Sequence, residues 1–173
     1  KCDYRLVVDN LMDLTHETFV HGSSIGQRAV AEAPFVATHG DRVATVTRWM
    51  ENIDAPPFWA GQIRHARGYE GKVDRWQICR YTPPSHVMIE VGVALAGHGG
   101  YEAPKDKKVY SIVVDFITPE TETSMWYFWG MARNFRAQDK ALTAQIREGQ
   151  GKIFAEDLEM LERQQANLTR WPE

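Results

Sequence analysis

Five runs rich in Val, Ile, Thr, Tyr, Phe or Trp follow one another at residues 42–50, 73–81, 86–94, 109–117 and 124–132, and a single long helical pattern closes the chain at about 139–167. So many β-prone runs exclude an all-helical fold. Their separators are turn chemistry: His39-Gly40-Asp41, Pro83-Pro84-Ser85, the glycine tract at 97–100, and Thr118-Pro119-Glu120. Short separators of this kind join antiparallel neighbours, which predicts an α+β domain built on an antiparallel sheet. Residues 2–8 read as a strand or extended entry, and 9–21 as a helix with Leu11, Leu14 and Thr18 at helical spacing. The break at 55–71 contains a Pro pair and holds a short helix around 58–64. Gly149 and Gly151 interrupt the last helix at a cost of roughly 1 kcal/mol each, which points to close packing there.

At 173 residues and 43% apolar content the chain buries one sizeable core, and a single domain is expected. The formal net charge of −3 is spread over interspersed residues, with no basic block to neutralise nucleic acid or an anionic membrane. No apolar run approaches the ~20 residues of a membrane span. These features point to a soluble, cytoplasmic chain. Cys2 and Cys79, far apart in apolar surroundings, suit two buried thiols rather than a disulfide or a cluster site. The chain begins at Lys1 within an apolar stretch, which suggests a piece of a longer polypeptide.

The first chemical feature is the segment Asp9-Asn10-Leu11-Met12-Asp13-Leu14-Thr15-His16-Glu17-Thr18-Phe19-Val20-His21. Histidine and aspartate are mediocre helix formers and costly to bury alone, so their density here needs a reason. His16 and His21 stand five apart, and an unbroken helix would splay them by ~140°. That spacing rejects the i, i+4 pair of zinc proteases. Both imidazoles can reach one metal if the helix ends between them, as Gly22-Ser23-Ser24 suggests. Spacing alone leaves two alternatives, a metal pair or two polar residues at a helix end.

A second feature favours the metal. On the last helix Ile146, Ile153, Phe154, Met160 and Leu161 define an apolar stripe, and Asp157 falls within about 60° of each. Glu156, Glu159 and Glu162 project elsewhere and suit solvation. An inward carboxylate must be hydrogen-bonded, metal-bound or paired with a cation such as Arg5 or Arg80. Two imidazoles and one carboxylate form the facial triad that holds Fe(II) with open positions for O₂ and substrate, and they can equally hold catalytic zinc.

The 9–21 segment, together with Thr118-Pro119-Glu120-Thr121-Glu122, the run from Trp126 to Phe135, and Gly151-Lys152-Ile153-Phe154-Ala155-Glu156-Asp157, resembles the catalytic domain of Rieske non-haem iron aromatic-ring oxygenases over nearly the whole chain. Within that family it is most similar to the branch that demethylates methoxylated aromatic acids of the vanillate kind. The resemblance implies a helix-grip fold, a curved antiparallel sheet wrapped around the long C-terminal helix. It implies that His16, His21 and Asp157 hold a mononuclear Fe(II), that Asp13 bridges electron transfer into the site across a subunit boundary, and that Asn10 lies near the iron. Asp115 and Tyr127 match pocket-facing positions and are expected to engage the substrate. The implied reaction is a monooxygenase O-demethylation. Electrons from NADH pass through a flavin and iron–sulfur reductase and a Rieske [2Fe-2S] cluster, and O₂ oxidises the methyl carbon, releasing formaldehyde and a phenol. A homotrimer is implied as well.

One departure is clear. The family's Cys-x-His and Cys-x-x-His pairs are missing, since neither Cys2 nor Cys79 has a histidine two or three residues away. The Rieske domain is therefore expected N-terminal to Lys1. The residues still admit other functions, an oxygenase on another aromatic substrate, a zinc hydrolase, or a metal-free helix-grip module that binds hydrophobic ligands. The inward Asp157 speaks against the last. His39, His65 and His98 are expected in solvent, His86 at the surface or in the core, and Glu17 on an exposed helix face. Trp49, Trp59, Trp76, Trp126 and Trp129 are expected to build core and pocket wall.

Overall fold

The computed structural model describes residues 1–22 and 25–171, so Ser23 and Ser24, part of the expected helix end, lie outside the described residues. Six strands run in sequence order through one sheet: β1 (Phe35–His39), β2 (Ala44–Ile53), β3 (Val73–Thr82), β4 (His86–Leu95), β5 (Lys108–Thr121) and β6 (Ser124–Arg133). Every neighbouring pair is antiparallel. The helices are α1 (Tyr4–Met12), α2 (His16–Val20), α3 (Arg28–Glu32), α4 (Pro57–Arg67) and α5 (Lys140–Arg170). Among the described residues no helix is long and apolar enough to cross a membrane.

Alternation explains which face of the sheet is inside. Cys79 of β3 stands opposite Ile89, Ile89 opposite Val113, and Val113 opposite Met131, so one row of side chains crosses four strands on the same face. That face carries two apolar clusters. Leu6, Val7 and Leu11 of α1 meet Val87, Ile117 and Leu161 at one end, and Trp59 and Ile63 of α4 meet Val93, Val109, Phe135 and Leu142 at the other. Leu142 and Leu161 both belong to α5, which thus reaches both clusters. This is the grip, with one helix of 31 residues, roughly 46 Å, held along the concave side of the sheet. Asp139 starts it, accepting a hydrogen bond from the Leu142 N–H at 2.8 Å. The opposite face of β3 is covered too. Trp76 and Ile78 pack with Tyr101 and Ala103 from the short turns after β4, so residues 73–79 are buried without a break.

Several local expectations need correction. Residues 2–8 are not extended: Asp3 caps the Arg5 N–H at 2.8 Å, and Val7 and Leu11 repeat at one helical turn to form α1. The 9–21 segment is two helices separated by Asp13-Leu14-Thr15. β1 has no alternation to detect because all five of its residues are exposed. Thr118-Pro119-Glu120 lies within β5, where β4 has already stopped pairing at Phe116 and leaves no ladder bond for Pro119 to lose. Gly149 and Gly151 do not mark close packing, since a Cβ at either would meet nothing within 4 Å. Met160 is off the buried stripe and exposed, as are Trp49 and Trp126. Trp59 and Trp76 are core, Cys2 and Cys79 are buried free thiols, and His39, His65, His86 and His98 are exposed.

Gly92 shows what the two-faced burial of β3 demands. A Cβ there would stand 2.6 Å from the Tyr110 Cβ and 2.7 Å from the Val109 carbonyl, with the Trp76 indole closer still. Gly92→Ala is expected to destabilise the fold by about 1–3 kcal/mol, read as a lower midpoint in urea unfolding.

Candidate metal centre

The site begins with the break in the helix. At Asp13 the backbone leaves the helical region (φ −88°, ψ 89°), and the Asp13 carboxylate accepts the Thr15 N–H at 2.9 Å, closing a local turn. Leu14 plugs that turn into a core pocket with Val30, Met50 and Cys79. From β2 the buried Arg48 donates to the Thr15 hydroxyl and to the Val30 and Ala33 carbonyls, bracing the start of α2 against α3. α2 then runs only from His16 to Val20, and His21 sits just beyond its last residue. The helix does end between the two histidines. Gly26 secures the exit, its N–H donating to the His21 carbonyl at 2.8 Å.

With the helix so shortened, both imidazoles turn to Asp157 on α5. One ligand atom from each of His16, His21 and Asp157 lies within 4.8 Å of the other two, the spacing of a shared cation. Asp157 Oδ1 is 3.1 Å from His21 Nε2 and 3.5 Å from His16 Nε2, and it accepts from Asn10 Nδ2 at 3.2 Å. The other ring nitrogens are engaged. His16 Nδ1 donates to the Asp13 carbonyl, and His21 Nδ1 faces Glu156 Oε2 at 2.6 Å. Those bonds hold each ring by Nδ1 and turn both Nε2 atoms toward Asp157, where a metal would draw on them. Arg5 pairs with Asp3 and Arg80 with Glu90, so neither cation considered for Asp157 is available to it. Burial opposes a proton on His21, but hydrogen bonds to Asp157 and Glu156 outweigh it and raise its pKa. The pocket favours positive charge, which a divalent ion supplies at higher density.

Beside this cluster lies a cavity of about 710 Å³, within the usual range for small-molecule sites. Its walls are largely apolar, with Trp59, Ile89, Val91, Val113, Met131 and Ile153 among them. Glu17 and Glu156, each next in sequence to a member of the cluster, also line it. Glu17 is buried rather than exposed on a helix face. It accepts from Gln77 Nε2 and lies 3.6 Å from Arg75 Nη2. Burial raises the Glu17 carboxyl pKa and lowers that of Arg75, each opposed by the other's charge. Asp115 and Tyr127 do not line the cavity. They form a pair near its end, the Tyr127 hydroxyl donating to Asp115 Oδ1 at 2.8 Å while the ring packs edgewise on Phe154. Burial pushes the Asp115 carboxyl up to about 7 and the Tyr127 hydroxyl far above its ordinary value.

Sequence patterning puts Glu156 in solvent and gives no role to Arg75, Gln77 or Gln62. A signal for two of them existed, since Arg75 and Gln77 alternate with Val73 and Cys79 and so share the inner face of β3. Glu156 gave none, because its role depends on an imidazole 135 residues away.

The family model described as vanillate O-demethylase oxygenase C-terminal domain matches residues 1–173. The vanillate O-demethylase oxygenase subunit of Pseudomonas sp. (strain ATCC 19151) is 68% identical over 174 residues, covering 99% of this chain and 53% of that protein. The dicamba O-demethylase oxygenase component of Stenotrophomonas maltophilia is 30% identical over 169 residues, 95% of this chain and 48% of that one. Among solved structures, dicamba monooxygenase bound to 3,6-dichlorosalicylic acid superposes with a TM-score of 0.84 at 28% identity, covering 98% of this chain and 48% of that chain. The chain thus spans about half the length of the curated relatives it matches.

Two measurements follow. Glu156→Gln is expected to weaken ferrous-ion affinity by about 10–100-fold, and Asp157→Ala to abolish stoichiometric binding, both read by metal titration. For Asp115 the folded pKa of about 7 lies above the ordinary ~3.9. Its contribution is therefore most favourable below pH 4 and is lost as pH rises through 7. Asp115→Asn should gain stability on the unsubstituted protein across that window and level off above it, checked by urea midpoints at a series of pH values.

Proposed function

The chain belongs to the vanillate O-demethylase oxygenase C-terminal domain family, the catalytic domain of a group of Rieske oxygenases, and on that premise we propose that it removes the methyl group of a methoxylated aromatic acid of the vanillate kind. The observation that carries this is the convergence of His16, His21 and Asp157 beside the cavity. These three residues would hold one ferrous iron, which when bound supplies reductive activation of O₂. The protein's own part is to bind, orient and exclude. Asn10 holds the Asp157 carboxylate, the Asp13 carbonyl and Glu156 hold the two rings, and the apolar walls keep water from the reacting methyl carbon. Oxidation of that carbon gives a hemiacetal, which collapses to formaldehyde and a phenol.

In this proposal the Rieske domain, with its [2Fe-2S] cluster, precedes Lys1 in the full-length protein, and a flavin and iron–sulfur reductase using NADH feeds it. Coverage of about half of each curated relative is consistent with a missing partner domain. Asp13 is the candidate electron bridge: its side chain is exposed while its carbonyl binds the His16 ring, so it joins the surface to a metal ligand. A homotrimer would bring another subunit's cluster to that surface. Asp115 and Tyr127 would act on the substrate through the Phe154 wall they support. The test uses full-length protein with its reductase, NADH and O₂. Formaldehyde should appear in step with consumption of the methoxylated acid, and Asp13→Ala should keep its iron but lose coupled turnover. Full turnover in Asp13→Ala would remove it from the electron path, and stoichiometric zinc in anaerobically purified protein would count against the oxygenase.

A further inference from the structure

Four polar side chains enter the apolar cavity, and each is at least nine-tenths buried: Glu17, Gln62, Arg75 and Gln77 are 7%, 7%, 4% and 2% exposed. Their bonds to one another leave particular atoms over. Gln77 Nε2 donates to Glu17 Oε1, which fixes Gln77 Oε1 as the outward acceptor. Glu17 Oε2 makes no hydrogen bond among the described residues, and Arg75 Nη2 at 3.6 Å is beyond hydrogen-bond reach. Arg75 Nη1 donates to Gln27 Oε1 at 2.9 Å, while Arg75 Nε has no partner. What remains among the described residues is three acceptors, Glu17 Oε2, Gln62 Oε1 and Gln77 Oε1, and one donor, Arg75 Nε. Buried groups in this condition are costly unless a ligand completes them.

A hydroxyl complements that set, because it donates to one acceptor and accepts from the donor, and it is the polar ring substituent of a vanillate-like acid that does both. A carboxylate fits badly. It offers acceptors only, would face the free oxygens of Glu17 and Gln77, and would add a second negative charge where Arg75 already answers Glu17. Position adds a further constraint: the Glu17 carboxylate lies within electrostatic reach of both His16 and His21, so a group bound at its unpartnered oxygen lies at the cluster end of the cavity. The ring substituent next to the reacting methoxy group is the one able to sit there. Another lining cation, Lys152, stands toward solvent, with its side chain 73% exposed and paired to Glu148.

We propose that Glu17, Gln77 and Arg75 form a subsite for a neutral phenolic hydroxyl ortho to the reacting methoxy group, and that the substrate carboxylate, para to that hydroxyl, points to the open end near Lys152. This rests on the aromatic-acid function proposed above. Glu17 and Arg75 are then specificity-determining residues that act on the hydroxyl.

The test is anaerobic calorimetric titration of the full-length protein with three acids: 4-hydroxy-3-methoxybenzoate, 3-methoxybenzoate and 3,4-dimethoxybenzoate. The first should bind at least about tenfold more tightly than the other two, because they leave the buried atoms unpaired. The double substitution Glu17→Leu with Arg75→Met removes the ion pair as a unit and should bring the three dissociation constants to within about twofold. If that variant fails to fold, the ligand series on the unsubstituted protein decides alone. Equal affinities for the three acids there, or a preserved preference in a folded double variant, overturns the subsite. If none of the three binds, the aromatic-acid function itself falls, an outcome distinct from equal binding.

Discussion

Burial of the Asp157 carboxylate is the constraint on which the rest of the structure turns. It is 6% exposed on a helix otherwise anchored by Leu142 and Leu161, and a lone charge in such a place is strongly unfavourable. The two imidazoles that answer it come from the other end of the chain. To deliver both, the segment from Asp9 to His21 has to give up one continuous helix. The Asp13 turn, the Leu14 plug and the Arg48 brace are the means by which it does so. A site that costs helix continuity on one side and carboxylate desolvation on the other is stabilised by positive charge at its centre, whether on an imidazole or on a shared cation.

The same constraint explains what was legible in the sequence. Five of the six strands and the long last helix followed from residue type and periodicity, Asp157 from its place among apolar neighbours at helical spacing, and His16 and His21 from the density of histidine and aspartate in one short segment. Periodicity failed where burial does not alternate. β1 is exposed throughout, and α1 contains three consecutive buried residues, Leu6, Val7 and Val8, that imitate a strand. It also failed where a residue's role is set by a distant partner. Glu156 and Glu17 look like ordinary helix acids, yet one faces His21 and the other is buried against Arg75 and Gln77 of β3. Those contacts exist only after α2 and α5 have closed on the sheet.

Inside the cavity the pairing of Glu17 with Arg75 has a consequence that neither residue carries alone. An isolated arginine in an apolar wall would draw any anion, and an isolated glutamate would repel one. Together they are close to neutral, and recognition there depends on where hydrogen-bond donors and acceptors point rather than on charge. Selection by unpaired buried atoms is sharp, because an analogue lacking the matching group leaves those atoms desolvated and unsatisfied.

Burial is graded across the cluster, and the gradient separates its two sides. Asp13 is exposed, the His16 side chain is 16% exposed, and that of His21 is 2% exposed. Through Asp13 and His16 the cluster meets the surface, and through Glu17 and Glu156 it meets the cavity. Under the proposed function, a redox partner at the surface and an aromatic substrate in the cavity approach different sides of the cluster and need not compete for one opening. The break at Asp13 provides for both. The turn that aims His16 at Asp157 also puts the Asp13 carboxylate outside, while the Asp13 carbonyl holds the His16 ring.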